Sequence, residues 1–467
     1  NGVWMNLSGN DTGDWAGTNT INGVAVNTNN NLVYTGLDAG KFGVYNHSNG
    51  VWMNLSGNDT GDWAGTTPTK GVAVHTNDNL IYTGLQSGKF GVYRTDLFSG
   101  GGAGTLTSPY EISDCIQLQN MSLNLNVNYE LVNNIDCSDT INWNSGAGFV
   151  PVGTTDTSFF KGSLQGNGYN ITDLYIINNT AGVGYGGLFG YAINATINDV
   201  HLKNVYVEGK FPSIGGLVGA FADNGTIANS SVSGNVTSKK GAGGYAGGLA
   251  GWIWKNNLVP TVFNSSFTGN ISASSNQGIG GLVGWSNGII NYSFANAKIN
   301  STNADVGGLV GINDVNSSVV GIIDNSYSVG NVSSTGISAL RIGGLVGNNN
   351  ARVLHSYSTA NVSGLSSVGG LVGDSDGTSN NILNSYACGD VVILKNSGQG
   401  GGLIGYSTGG GSVNYSYSAG IVSRPTGTGI AGVGGFVGSD KEGTGNYYNF
   451  SFWDSEIVGG FYNDTAS

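Results

Sequence analysis

A pentad, Gly-Gly-Leu-Val-Gly, comes nine times in this chain, at 186–190, 215–219, 247–251, 280–284, 307–311, 343–347, 369–373, 401–405 and 434–438. Successive copies start 26 to 36 residues apart. A regular unit with connecting loops of uneven length is the signature of a stacked-coil solenoid. The third and fourth positions stay apolar in all nine copies, with Phe436 replacing Leu and Phe189, Ala250 or Ile404 replacing Val. That stretch is therefore core in every coil. Glycine at the other three positions permits positive φ and lets neighbouring coils approach without a Cβ in the way.

A second signature follows each pentad in most units, as in Asn325-Ser-Tyr-Ser-Val-Gly-Asn-Val332, and likewise at 229–236, 264–271, 355–362, 384–391 and 414–421. These are short β-rich runs between Gly, Asn and Ser, with no 3.6-residue period. Each unit reads as one coil of a parallel β-helix, and nine coils at strand spacing make a rod about 43 Å long. The pentads resemble the GLUG motif of bacterial and archaeal surface and secreted proteins, which include large adhesins and the non-catalytic parts of some immunoglobulin A proteases. The resemblance covers about 100–455. It implies a right-handed parallel β-helix and says little about activity.

Counting back five positions from the apolar residue that closes the second signature reaches Phe294, Tyr327, Tyr357 and Tyr386, which predicts an aromatic stack along the rod. Phe267 and Tyr417 lie four positions before their anchors, Ile271 and Ile421, which puts them on the opposite face unless a bulge resets the register. Core packing, rather than a sugar-binding stripe, is the expectation for all these rings. Asparagine falls in two columns. Asn229, Asn264, Asn291, Asn325, Asn384 and Asn414 begin the signature and are expected to point inward as stacked amides. Asn235, Asn270, Asn331 and Asn361 directly precede an inward Val or Ile, so strand alternation turns them outward. All four are Asn-X-Ser/Thr sequons, among 22 in the chain. An acceptor needs exposure, so this outward column is the expected glycosylation site and the inward column is expected to be bare.

Upstream, residues 1–18 and 49–66 are identical, and the likeness continues through Gly40-Lys-Phe-Gly-Val-Tyr45 and Gly88-Lys-Phe-Gly-Val-Tyr93. Such a 48-residue tandem repeat, with strand-length runs at 49–57, 71–76, 79–85 and 88–94, resembles β-propeller blades of the sialidase-like, ligand-sensor type. A propeller needs about four blades or more, so the two here start on a last strand, end on a third, and look incomplete. The expected organisation is 1–94 as blades, 95–106 as a Gly-rich linker, 107–185 as opening and capping coils with a short helix within 111–120, and 186–467 as the repeat rod with its closing segment.

Charge and chemistry narrow the function. Charged residues are 9% of the chain, against about 25% in ordinary globular proteins, and net charge is −12. That excludes the basic face which nucleic-acid binding requires, and no apolar run reaches transmembrane length. The acids are scattered singly, as at Asp199, Glu208, Asp305, Asp324 and Asp390, and His47, His75, His201 and His355 fall in unrelated contexts. No paired carboxylates or metal-ligand spacings stand out, so no catalytic residues, metal or cofactor are assigned, and any catalytic part is expected outside this chain. The loop at 57–62, its copy at 9–14, and Asp374-Ser-Asp376-Gly377 have only a weak calcium-loop character. Cys115 and Cys137 lie 22 residues apart, one coil on. They are either a disulfide or two buried thiols, and the secreted look of the chain favours the disulfide. Cys388 reads as a passive filler. The expectation is an extracellular structural protein of a filament, sheath or adhesive appendage, N-glycosylated, with copies of itself, other surface proteins or glycans as partners. The alternative is a secreted carbohydrate-binding or polysaccharide-cleaving β-helix.

Overall fold

In the computed structural model, the described residues are Phe98 and 100–454, without short stretches at 181–183, 240–242, 256–257, 275–276, 303–304, 317–318, 337–340, 378–380, 410, 425–431 and 442–446, together with the backbone of seven strands between 21 and 94. Those seven strands form two antiparallel sheets, one of four strands from Ile21 to Asn54 and one of three from Thr69 to Arg94. The strand Val51–Asn54 pairs with Phe42–Asn46, so the first repeat closes on the run that opens the second. These are meanders; among the described strands no propeller ring is formed. The loops at 9–14 and 57–62 lie outside the described residues.

Gly100–Asn142 and the chain from Gly146 onward form a separate unit, an all-β parallel solenoid of about nine turns. One coil shows how the sequence makes it. Val283–Ser286 leaves the pentad, Ile289–Asn291 follows a short bend, Tyr292 turns the corner, and Phe294–Ser301 forms the long strand. Asp305–Gly307 then leads into the next pentad. Each strand pairs in parallel with its counterpart one coil on, as Ile299 with Val332, giving long sheets of 15, 12, 9 and 8 strands. The opening segment differs: Asp114 accepts from the Gln117 N–H and caps a helix, Cys115–Asn120, which buries Leu118.

The pentad is a corner between two sheets. Its third and fourth residues are buried in all nine copies. Its glycines act by close approach, not by positive φ, since only Gly187 has one, at 153°. A Cβ on Gly308 would lie 1.9 Å from the Gly344 oxygen, and one on Gly344 would lie 2.0 Å from the Gly370 oxygen. No side chain fits such a stack.

The second corner uses a left-handed residue instead. Asp199, Asn229, Asn264, Tyr292, Asn325, His355, Asn384, Tyr415 and Phe450 form one file with φ between 45 and 57°. Asparagine is the non-glycine residue that adopts this region at least cost. This corrects the expectation of an inward amide column: Asn229, Asn264, Asn325 and Asn384 are exposed at the corner. Asn291 and Asn414 sit one position earlier, in register with Phe263, Asp324, Leu383 and Asn449. An amide chain does run from Asn264 through Asn229 to Asn198, with Nδ2 to Oδ1 distances of 2.8 and 3.0 Å, but on the outside. The buried amide pair is elsewhere, Asn313 donating to Asn349 at 2.8 Å.

Serine ties this corner together. Ser230, Ser265, Ser293, Ser326, Ser356, Ser385, Ser416 and Ser451 stack in one file, and each from Ser230 to Ser416 donates its backbone N–H to the Oγ of the next at 3.1 to 3.2 Å. Each Oγ donates in turn to the carbonyl two residues earlier, as Ser356 to Leu354 at 2.6 Å. The corner would otherwise strand a buried N–H in every coil, and the hydroxyl is the smallest group that both accepts and donates there.

Candidate functional surfaces of the solenoid

Two outward surfaces carry enough chemistry to be sites. The first is an aromatic ladder on the 15-stranded sheet. Phe294, Tyr327, Tyr357, Tyr386, Tyr417 and Phe452 stack with centroids 4.8 to 5.6 Å apart and planes within 6° of parallel. The spacing is that of the strands, so each ring lies flat on the next. These rings point outward and the ladder is half-exposed, against the expectation of core packing. Tyr417 belongs to the ladder because its inward anchor is Val422, in register with Val391, and not the exposed Ile421. Phe267 does lie on the opposite face, buried beside Ala295 and Val232.

Four positions along the same strands from the ladder run Asn235, Asn270, Lys298, Asn331 and Asn361, in one register. Asn270, Asn331 and Asn361 are exposed and Asn235 is half-buried, with Asn270 Nδ2 donating to Asn235 Oδ1 at 2.9 Å. Exposure does not set this column apart, since Asn229 and Asn264 are exposed as well.

The second surface is a furrow along the pentads. Side chains of the strand before each pentad meet those of the strand after it. Tyr185 packs on Tyr191 at 5.2 Å and Tyr245 on Trp252 at 5.9 Å, with Trp285 6.1 Å from Trp252. In later coils the aromatic file continues as Ile312, Asn348, Asp374 and Tyr406. On the facing strands, Arg341 Nε donates to Asp305 Oδ1 at 2.8 Å. Asp305 and Asp374 are 6% and 8% exposed. Loss of solvent raises the carboxyl pKa of both against the pull of Arg341, that of Asp374 to about 6. Asp376 adds to the rise at Asp374. Thr408 Oγ1 lies 3.4 Å from Asp374 Oδ1. Asn348 Oδ1 and Trp252 Nε1 are buried without a hydrogen-bond partner.

One catalytic-looking string is present. His201 Nδ1 is 2.9 Å from Ser231 Oγ and its Nε2 is 3.1 Å from Asp199 Oδ1. It lacks the other half of acyl-transfer chemistry, a pair of free donors for an oxyanion. The Ser231 N–H is already spent on the Val200 carbonyl, and its strand is paired on both sides. Elsewhere His355 Nδ1 lies 2.8 Å from Asp324 Oδ1. Among the described residues no group of three or more His, Cys, Asp or Glu could hold a metal ion, and no helix is long and apolar enough to cross a membrane. Cys115 and Cys137 are joined, with Cα atoms 5.3 Å apart. Cys388 is exposed beside the ladder and free.

The family profile "The GLUG motif" matches residues 212–237. The chain is a parallel solenoid that carries GLUG repeats. The chain is also similar to halomucin of Haloquadratum walsbyi, 40% identical over 156 residues, 31% of this chain and 2% of that protein. A protein of Evansella cellulosilytica named as a Gly-rich membrane protein is 36% identical over 137 residues, 28% of this chain and 15% of that one. The chain thus matches a small part of each relative's length. A crystal structure from Bacteroides ovatus named as an immunoglobulin A1 protease aligns over 76% of this chain and 86% of its own, at 19% identity and a TM-score of 0.46.

Proposed function

We propose that this chain is part of an extracellular cell-surface protein and that its GLUG solenoid serves as the structural shaft of a filament, sheath or adhesive appendage. The observation that carries the reading is the sameness of the interior coils. The serine file, the glycine stack and the left-handed corner repeat with little variation from coil to coil. Such nearest-neighbour stacking holds any number of coils at constant cost. The names borne by halomucin and the Gly-rich membrane protein agree with a surface location. Partners on this reading are copies of the chain or other surface proteins, and the N-terminal meanders are propeller-like blades. Asn235, Asn270, Asn331 and Asn361 carry N-linked glycans, and Cys115–Cys137 is oxidised, as suits that compartment. Negative-stain electron microscopy of the native material, with and without chelator, tests the reading: ordered fibres or sheets are expected, and discrete monomeric rods in both samples would overturn it. Loss of order on chelation would assign calcium to the acidic loops.

A second reading, binding of carbohydrate, is favoured by the aromatic and carboxylate side chains that the outer surfaces present together.

A further inference from the structure

The furrow along the pentads has unspent hydrogen-bonding capacity. Asn348 is 6% exposed and its Oδ1 has no partner. An unpaired buried amide oxygen costs about 1–3 kcal/mol; other buried polar atoms of this solenoid, Ser301 Oγ and Ser334 Oγ among them, are unpaired as well, and what sets Asn348 apart is its place in a file with a buried carboxylate and two indoles. One coil on, Asp374 keeps a carboxylate at 8% exposure with one long hydroxyl contact, from Thr408 at 3.4 Å. Arg341 neutralises the facing Asp305 at 2.8 Å and leaves Asp374 without an ion pair. In the opposite direction along the same file stand Ile312 and then the half-exposed rings of Trp285 and Trp252, the latter with an unpartnered Nε1 donor.

From this juxtaposition we propose that the furrow from Trp252 to Asp374 is a binding site for a neutral polysaccharide lying along the solenoid. The proposal rests on the carbohydrate reading above and gives it a place and a ligand class. Pyranose rings have apolar faces that stack on indoles and hydroxyls that donate to oxygen acceptors, which are the two functions the furrow offers in sequence. Coils repeat at about 4.8 Å, close to the length of one sugar ring, so successive sugars meet successive coils. A uronic-acid polymer is disfavoured, because its carboxylates would face Asp374, Asp376 and Asp305 with Arg341 already paired. The outer ladder, by contrast, presents tyrosine rings that are stacked on each other, with their faces covered by neighbouring coils and only edges free.

Affinity electrophoresis in gels cast with a neutral β-glucan, a galactomannan, polygalacturonate or alginate tests this on the full chain. Retardation by one or both neutral polymers and not by the uronates is expected. Trp285→Ala and Asp374→Asn should each weaken binding at least tenfold, while Tyr357→Ser on the ladder leaves it within twofold. Circular dichroism of each variant keeps the comparison to folded protein, and Asp374→Asn is nearly isosteric, so it survives if the tryptophan variant does not. Retardation lost only in Tyr357→Ser would move the site to the ladder, overturning the furrow and sparing the carbohydrate reading. Preferential retardation by the uronates would overturn the ligand class. No retardation by any polymer would overturn both readings together.

Discussion

The serine file makes a quantitative claim that can fail at a single atom. In Ser356→Ala the lost Oγ takes away the acceptor of the Ser326 N–H, 3.1 Å away and 1% exposed, and the donor to the Leu354 carbonyl. The carbonyl keeps a bond from the Asn325 N–H at 3.3 Å, so it is not orphaned. The Ser326 N–H is. A buried unsatisfied donor costs about 1–3 kcal/mol and the lost bond about 1 more, so the variant should be destabilised by about 2–4 kcal/mol. Thr359→Ala, exposed three residues on, serves as the control and should stay within about 0.5 kcal/mol. Urea unfolding followed by tyrosine fluorescence reads the difference, taken from midpoints with an unchanged slope because a solenoid need not unfold in one step. Amide hydrogen exchange supplies the local test: the Ser326 amide should lose protection first, with the Ser293 and Ser385 amides little changed. A cost under about 1 kcal/mol with the Ser326 amide still protected would refute the idea that the hydroxyl column supports this corner.

Further outcomes follow from single positions. Gly344→Ala puts a Cβ 2.0 Å from the Gly370 oxygen and 2.3 Å from Ser358 Oγ; expression and thermal melting should show loss of more than about 4 kcal/mol or failure to fold. Asp374 titrates higher folded than unfolded, from 3.8 to about 6, so the folded state holds the proton more tightly. The contribution of Asp374 to stability is then greatest below pH 4, falls as pH rises from about 4 to about 6 and is level above that, and Asp374→Asn should remove that slope and stabilise the chain at pH 7 by up to about 3 kcal/mol. Non-reducing peptide mapping should recover Cys115 and Cys137 in one linked peptide pair, and reduction should lower the melting temperature of the opening coils. Glycopeptide mass spectrometry of native material should find Asn235, Asn270, Asn331 and Asn361 modified. Two neighbours such as Asn331 and Asn361, one coil apart, should seldom be occupied on the same molecule, because strand spacing leaves about 4.8 Å between them.

The repeat was legible because it is enforced at every coil by sterics. Nine glycine-rich corners with buried Leu and Val could be read directly, and so could the stack of Phe294, Tyr327, Tyr357 and Tyr386. What misled was the second corner. Asparagine recurring at the start of the signature suggests an inward amide ladder, but the position is left-handed, not extended, and turns Asn229 and its equivalents outward. A left-handed residue breaks the alternation, and the one signal for it was asparagine recurring where His355, Tyr292 and Tyr415 could replace it. Serine, one position later, is so common in this chain that its recurrence in eight coils does not stand out from composition. At Tyr417 the sequence offers two anchors, Ile421 and Val422, and only the fold shows that Val422 is the inward one. The furrow was not legible at all. Its residues come from strands on either side of the pentad, and only the fold angle there brings Trp252 against Tyr245 or Asp374 near the Asp305–Arg341 pair.

That contrast separates what the stack requires from what it tolerates. A position that touches the coil above and below must satisfy the same contact in every copy, so serine at the corner and glycine in the pentad cannot drift. The outer furrow file has no such constraint: it reads Trp252, Trp285, Ile312, Asn348, Asp374 and Tyr406 in successive coils. A merely solvated outer file would be expected to fill with Ser, Thr and Asn, as this chain does elsewhere. The two tryptophans pack on neighbouring rings and contribute to stability, but the buried carboxylate and the orphaned amide oppose it, and nothing in the stacking of the coils calls for those two. The Asp374→Asn variant decides whether that cost serves the site: a protein that gains stability and loses polysaccharide binding in one substitution has given up stability for it.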